Sequence, residues 1–166
     1  MQQPVPEVAV RRARERDLDA IVDLVAEVAA EGRWIGTEAP VDRARRRRLM
    51  EEMLHHERQV IFVAESGGEL VGHLWMDLAG YGVAHLGMLV AAGWRGRGVG
   101  SALLAAGLDW ARDAGAHKVA LEVWPHNQAA IALYEKFGFE REGLLRAQYR
   151  RRNGELWDAV VMGLLL

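Results

Sequence analysis

Between Trp94 and Leu104 the chain reads WRGRGVGSALL, with glycines at 96, 98 and 100 and arginines at 95 and 97. Glycine in a helix costs roughly 1 kcal/mol relative to alanine, so three of them before an apolar run serve the backbone rather than helix stability. A helix N-terminus leaves its first N–H groups without intrahelical acceptors and carries about half a positive charge. A glycine loop ahead of it lets further N–H groups converge on one anion. Arg95 and Arg97 add charge at the rim and Ser101 adds a hydroxyl, so a diphosphate is the expected guest. Two better-known phosphate loops do not fit. A Walker A loop needs Lys-Ser/Thr after its last glycine, and a dinucleotide fingerprint starting at Gly96 needs glycine or alanine where Ser101 stands. A glycine-rich turn with no ligand is the competing reading.

A second set of residues suits proton transfer. Glu122 interrupts the apolar run VALEVW (119–124). Burial there is expected to raise its pKa toward the range useful to a general base. Tyr134 falls on one helical face with Asn127 and Ala130. A phenol of ordinary pKa near 10 stays protonated at neutral pH and can donate to a departing group. The competing readings are a structural glutamate paired with an arginine, a packed aromatic, and an asparagine that caps its helix. His85 shares the Gly87 and Leu89 side of a strand by alternation and titrates near neutrality; a solvated strand histidine accounts for it equally well. The six histidines show no ligand spacing, and His55 and His56 are adjacent, so no metal site is expected.

These residues need elements to position them. Residues 8–12 read as a first strand, and Asp17 as the N-cap of a helix over 18–31 that Gly32 ends. The segment GRWIGTEAP (32–40) reads as a loop. Asp42 then caps a helix to about Glu57, with Leu49, Met50, Met53 and Leu54 on its inner face. Gln59–Glu65 and Leu70–Leu78 flank the hairpin signal SGGE, and Val83–Val90 follows as a third strand. The glycine run leads a helix to about Ala114. Lys118–Trp124 reads as a buried central strand, and Gln128–Phe137 as a helix closed by Gly138 with Phe139 packing back. Residues 139–149 and 155–165 form a terminal hairpin around RRNGE. The order β-α-α-β-β-β-α-β-α-β-β is a mixed α/β (α+β) sandwich around one sheet.

With 166 residues, 51% of them apolar, the chain suits one domain spanning 1–166. A net charge of -2 gives no global field toward nucleic acid. The run DRARRRR (42–48) has no interleaved aromatics and reads as a solvated face. The absence of cysteine excludes disulfides and thiol nucleophiles. MQQPVPEVAVRR lacks the apolar run of a signal peptide or membrane span, so a cytoplasmic protein is expected, without nucleic-acid or membrane partners.

The stretch Arg95-Gly-Arg-Gly98-Val-Gly100 matches the pattern R/Q-x-x-G-x-G/A, and LEVWPHNQAAIALYEKFGF (121–139) is similar to a second motif of the same family. Both resemble the GCN5-related N-acetyltransferases (GNAT), as does the element order, so the resemblance covers most of the chain. It implies a sheet flanked by about four helices, with the strands at Leu86–Val90 and Val119–Val123 splaying apart to admit the pantetheine arm of acetyl-CoA. It implies that the backbone of Met88, Leu89 and Val90 bonds that arm and the acetyl carbonyl. Arg95, Gly96, Arg97, Gly98, Val99, Gly100 and Ser101 would hold the pyrophosphate, and Asn127 and Tyr134 the remainder. Tyr134 would be the acid, Glu122 the base, and loop 32–40, with Trp34 and Glu38, would face the acceptor together with His85. The implied activity is acyl transfer (groups other than aminoacyl) from acetyl-CoA, without metal, to a primary amine in a direct ternary complex.

The acceptor stays open at this level. LEVWPHN is similar to protein N-terminal acetyltransferases. The tail YRRRNGELWDAVVM (149–162) resembles acetyltransferases of small amines, amino acids or antibiotics, and also some ribosomal-protein modifiers. Terminal strands of such sheets often pair between subunits, which allows a homodimer. A non-catalytic acyl-CoA sensor would keep the glycine loop without needing Glu122 and Tyr134 together.

Overall fold

Gly67 and Gly68 both take positive φ, 57° and 82°, the backbone that a two-residue hairpin requires and that side-chain-bearing residues resist. They join β2 (Gln59–Ser66) to β3 (Glu69–Leu78) in a computed structural model that describes residues 7–166. The other elements are β1 (Ala9–Arg12), α1 (Leu18–Ala30), α2 (Arg43–Leu54), β4 (Val83–Val90), α3 (Val99–Asp113), β5 (Lys118–Val123), α4 (Gln128–Lys136), β6 (Glu140–Arg150) and β7 (Leu156–Leu165). The strands form a seven-stranded sheet in the order β1-β2-β3-β4-β5-β7-β6. The mixed α/β class and the four helices are as expected from the sequence. The chain divides into two units, Met1–Trp75 with Met88–Gly107 and Met76–Gly87 with Leu108–Leu166.

In the first unit, Leu18, Ile21, Leu24, Val25 and Val28 recur at helical spacing along α1 and meet Met50 of α2, Ile61 and Val63 of β2, and Leu89 of β4. Three expectations need correction here. Asp17 does not cap α1 with its side chain, because its backbone is already helical. Its carboxylate instead accepts from the Arg14 backbone N–H at 2.7 Å and from Arg11 Nη1 and Nη2 at 2.7 and 2.9 Å. Leu49 is 43% exposed, so only Met50 of the expected inner face is fully buried. The second helix also stops at Leu54, three residues early, where His55 leaves helical geometry. Asp42 does cap it, accepting from Arg45 N at 3.0 Å. Two arginines of the run are paired: Arg43 bonds Asp23, while Arg47 reaches Asp19 at 2.9 Å and Glu51 at 3.4 Å.

In the second unit, β5 runs antiparallel to β7 from Lys118↔Leu165 to Val123↔Val160. The parallel ladder between β4 and β5 holds Val83↔Lys118, Ala84↔Val119 and His85↔Ala120, and both strands continue beyond it. Only Val119, Leu121 and Val123 of β5 are fully buried; Glu122 between them is exposed. A strand buried on both faces was expected, and one buried on a single face is found. At the end of α4, Gly138 takes φ 95°, with its N–H on Glu135 O and the Phe139 N–H on Tyr134 O, both at 3.0 Å. That double bond is the Schellman closure the sequence predicts.

Candidate active site

The glycine loop lies in the first unit. Gly96 and Gly98 adopt φ 71° and 83°, a region costly to any side-chain-bearing residue, and a Cβ at either would meet open space. The loop is exposed while Val99 is buried, which pins the start of α3 to the core. The Ala102 N–H bonds Gly98 O at 3.1 Å. The N–H groups of Val99, Gly100 and Ser101 therefore precede the helical ladder, and the positive end of α3 faces an unobstructed loop. That arrangement fits a pyrophosphate.

Arg95, at the rim of the loop, is engaged by a carboxylate and a carbonyl. Its guanidinium clasps Glu31 in a two-pronged pair at 2.8 and 2.7 Å, and its Nε donates to Val90 O at 3.0 Å. Glu31 also accepts from Trp34 Nε1 at 3.2 Å, and Arg95 with Trp34 holds its carboxyl below the usual carboxylate range. Arg97 stacks over Trp94 instead, with its Cζ 5.4 Å from the ring centre. Trp34 packs against the α1 core and lies beneath Arg33 and Arg95. Glu38 is half-buried in the same loop. On β4, Met88 and Val90 are half-buried and Leu89 is buried.

The proton-transfer candidates lie in the second unit. Glu122 was expected to be buried, and its exposure removes burial as the means of preparing it. What holds it is Tyr149, whose hydroxyl donates to Glu122 Oε2. This bond pushes the Tyr149 pKa up to about 12, so the phenol keeps its proton and acts as donor. Around the pair stands an aromatic frame. Trp124 meets Tyr149 and Trp157 edge-on at 5.3 and 5.2 Å, and His126 meets Trp157 at 5.1 Å. The buried Arg151 lies over Trp157 at 4.4 Å and Trp124 at 5.4 Å.

Tyr149 was not found from sequence because a bulge places it. Leu145↔Ala159 and Tyr149↔Trp157 set four steps of β6 against two of β7, with Ala147 at φ 50° and its N–H on Asp158 Oδ1 at 2.6 Å. Such a bulge re-aims the residues beyond it. Tyr134 is buried on α4, its ring 5.6 Å from Phe139, and burial pushes its pKa up. Asn127 caps α4, accepting from Ala130 N at 3.3 Å. His85 is exposed on β4. Among the described residues no His, Asp or Glu cluster could hold a metal ion, and no helix is long and apolar enough to cross a membrane.

The Acetyltransferase (GNAT) family matches residues 21–139. The chain belongs to that family, and its chemistry is N-acetyl transfer. It is 32% identical over 164 residues to the L-amino acid N-acetyltransferase AaaT of Escherichia coli, a match covering 94% of this chain and 96% of that relative. It is 43% identical over 93 residues to the N-alpha-acetyltransferase RimI of Mycobacterium tuberculosis, but that match covers 52% of this chain and 56% of the relative. The structure of yncA from Salmonella typhimurium with its cofactor acetyl-CoA superposes with a TM-score of 0.84 at 22% identity, over 96% of this chain and 94% of that one.

Proposed function

We propose that this chain acts as a single acetyltransferase domain that moves the acetyl group of acetyl-CoA to the amino group of a small amino acid-like acceptor. The observation that carries the reading is the exposed Glu122 carboxylate, oriented by one phenol and reachable by an amine. The end-to-end likeness to an amino-acid acetyltransferase at 32% identity supports this acceptor class.

Acetyl-CoA supplies an acetyl group already activated as a thioester. An acceptor ammonium must lose a proton before its nitrogen can attack, and each pKa unit above the working pH costs about 1.4 kcal/mol. Glu122 takes that proton while Tyr149 fixes the carboxylate. Tyr134, kept protonated by burial, is the donor for the departing sulfur. The N–H groups around Gly96 to Ser101 hold the pyrophosphate. No cysteine is present to form an acyl-enzyme, so transfer is direct.

The test is release of free thiol from acetyl-CoA against L-amino acids, polyamines, aminoglycosides and short peptides. Release with the amino-acid set is expected. Silence in every set, with acetyl-CoA still bound, favours the sensor reading. Tyr134→Phe should lower turnover by about 10²-fold with the KM for acetyl-CoA little changed, and unchanged turnover removes Tyr134 from the mechanism.

A further inference from the structure

Continued without a break from Leu145↔Ala159, the antiparallel register of β6 on β7 would set Tyr149 opposite Glu155. Tyr149 stands opposite Trp157 instead. That is two residues, or about 7 Å, nearer along β7 to Val161, the residue that faces Glu122 across the β5–β7 ladder. The phenol therefore reaches Glu122 from a strand in which residues 146–148 stand against the single residue Asp158. Beyond Tyr149 the hairpin tip is pinned. The Arg151 N–H bonds Glu155 O at 2.8 Å, and Gly154, at φ 90°, gives its N–H to Arg151 O at 2.9 Å. The Glu155 N–H bonds Asn153 Oδ1 at 3.0 Å. With the tip and the Leu145 end both fixed, the shape of the bulge decides where the phenol lies.

That shape includes an unfavourable backbone. Ala147 has φ 50°, in the left-handed region where a Cβ crowds the following carbonyl. Its N–H donates to Asp158 Oδ1 at 2.6 Å, a short bond to a carboxylate and so of the stronger kind. Asp158 is half-buried on β7, directly across from the bulge. Alternation along β7 sends its side chain to the face opposite that of Trp157. The carboxylate thus grips the backbone of the bulge from behind, away from the ring pair of Trp124 and Tyr149.

We propose that Asp158 is a positioning residue of the active site: by accepting from the Ala147 N–H it holds the left-handed bulge that brings the Tyr149 hydroxyl to Glu122. The proposal rests on the reading of Glu122 as the base. Because Asp158 meets the bulge through a backbone N–H, its effect on turnover passes through Tyr149.

The test is a double-mutant cycle read as thiol release from acetyl-CoA with the pooled twenty L-amino acids. Asp158→Ala should lower turnover severalfold with the KM for acetyl-CoA unchanged. Asp158→Asn keeps an oxygen acceptor and should stay close to wild type. In a Tyr149→Phe background Asp158→Ala should cost nothing further. The same loss in both backgrounds, no loss in either, or as large a loss in Asp158→Asn as in Asp158→Ala overturns the proposal.

A readout independent of activity keeps this proposal apart from the functional reading. With tyrosine labelled at the ring 13Cζ the chain gives three signals, and Tyr149→Phe identifies one of them. Glu122→Gln should move that signal in the wild-type background and leave it unmoved in Asp158→Ala. A response that persists in Asp158→Ala overturns the proposal. If Glu122→Gln leaves turnover unchanged, or if no amino acid is turned over, the functional reading fails on its own and the carbon signal decides whether Asp158 places the phenol. If Asp158→Ala does not fold, Asp158→Val, β-branched and suited to a strand, takes its place. The wild-type Ala147 amide gives a further check: marked protection from hydrogen exchange sustains the bond, and exchange as fast as in a free peptide ends the proposal.

Discussion

Asp17 in the first unit and Glu122 in the second are both carboxylates met by a hydrogen-bonding side chain, and they are built for opposite ends. Asp17 accepts three donors, two of them from one guanidinium, and its side chain is 7% exposed. Arg11, and then the Arg14 backbone, hold its carboxyl below the usual carboxylate range despite burial. No oxygen of Asp17 is left to take a proton from a substrate. Glu122 is exposed, and Tyr149 is a neutral donor to a single oxygen. The difference is one of saturation: a carboxylate bound by a cation and a backbone N–H is a clamp, and one met by a single phenol stays open to solvent.

The comparison breaks most visibly at Asp17. Asp17→Asn keeps the shape and removes the charge facing Arg11, which retains Glu65 at 3.0 Å. Loss of one partner of a buried pair costs about 3–5 kcal/mol, and the surviving contact places this case near the lower end. At 166 residues that corresponds to a Tm lower by roughly 6–12 °C. The pH dependence has a definite sign. Because the folded carboxyl is held low, the unfolded chain binds the proton first as pH falls. The stabilisation is therefore present above pH of about 4 and is lost below it. Thermal melts from pH 7 to pH 3 should show the wild-type and Asp17→Asn curves converging. Parallel curves would mean that Asp17 is no clamp.

Glu122→Gln inverts the pattern. Stability should stay within about 0.5 kcal/mol of wild type, because the site is exposed. Turnover should fall by about 10² or more at neutral pH and recover as pH rises toward the pKa of the acceptor amine, where a base is no longer needed. A pH profile identical to wild type would exclude Glu122 as the base.

The two carboxylates also show which parts of the site a sequence displays. The glycine loop was legible because positive φ and an uncovered helix start restrict residue type locally, and Gly96 and Gly98 take the backbone their identity predicts. Element order was legible for the same local reasons. Asp17 stands at the N-cap position of α1 as the sequence predicts, but its backbone is already helical and its carboxylate turns to Arg11 and the Arg14 N–H instead of the helix. Arg95 was read from its motif and its charge, while its partner Glu31 lies 64 residues away. Glu122 was placed inside because a short apolar run does not reveal whether one face of a strand or both are covered. The misses at Asp17, Arg95 and Glu122 depend on what the folded chain brings beside a charged side chain, which local pattern does not carry.

Tyr149→Phe gives the smallest effect and the finest discrimination. Phenylalanine keeps the edge contact with Trp124 at 5.3 Å, so the frame around the site survives and only the hydroxyl is lost. Tyr149 acts through Glu122, so its removal should lower kcat by about threefold to tenfold, the scale of one exposed hydrogen bond to a charged group, with both KM values unchanged. A purely structural Tyr149 would lower Tm and leave kcat unchanged. A fall in kcat with both KM values and Tm unchanged identifies Tyr149 as the residue that orients the Glu122 carboxylate, and an unchanged kcat removes it from the mechanism.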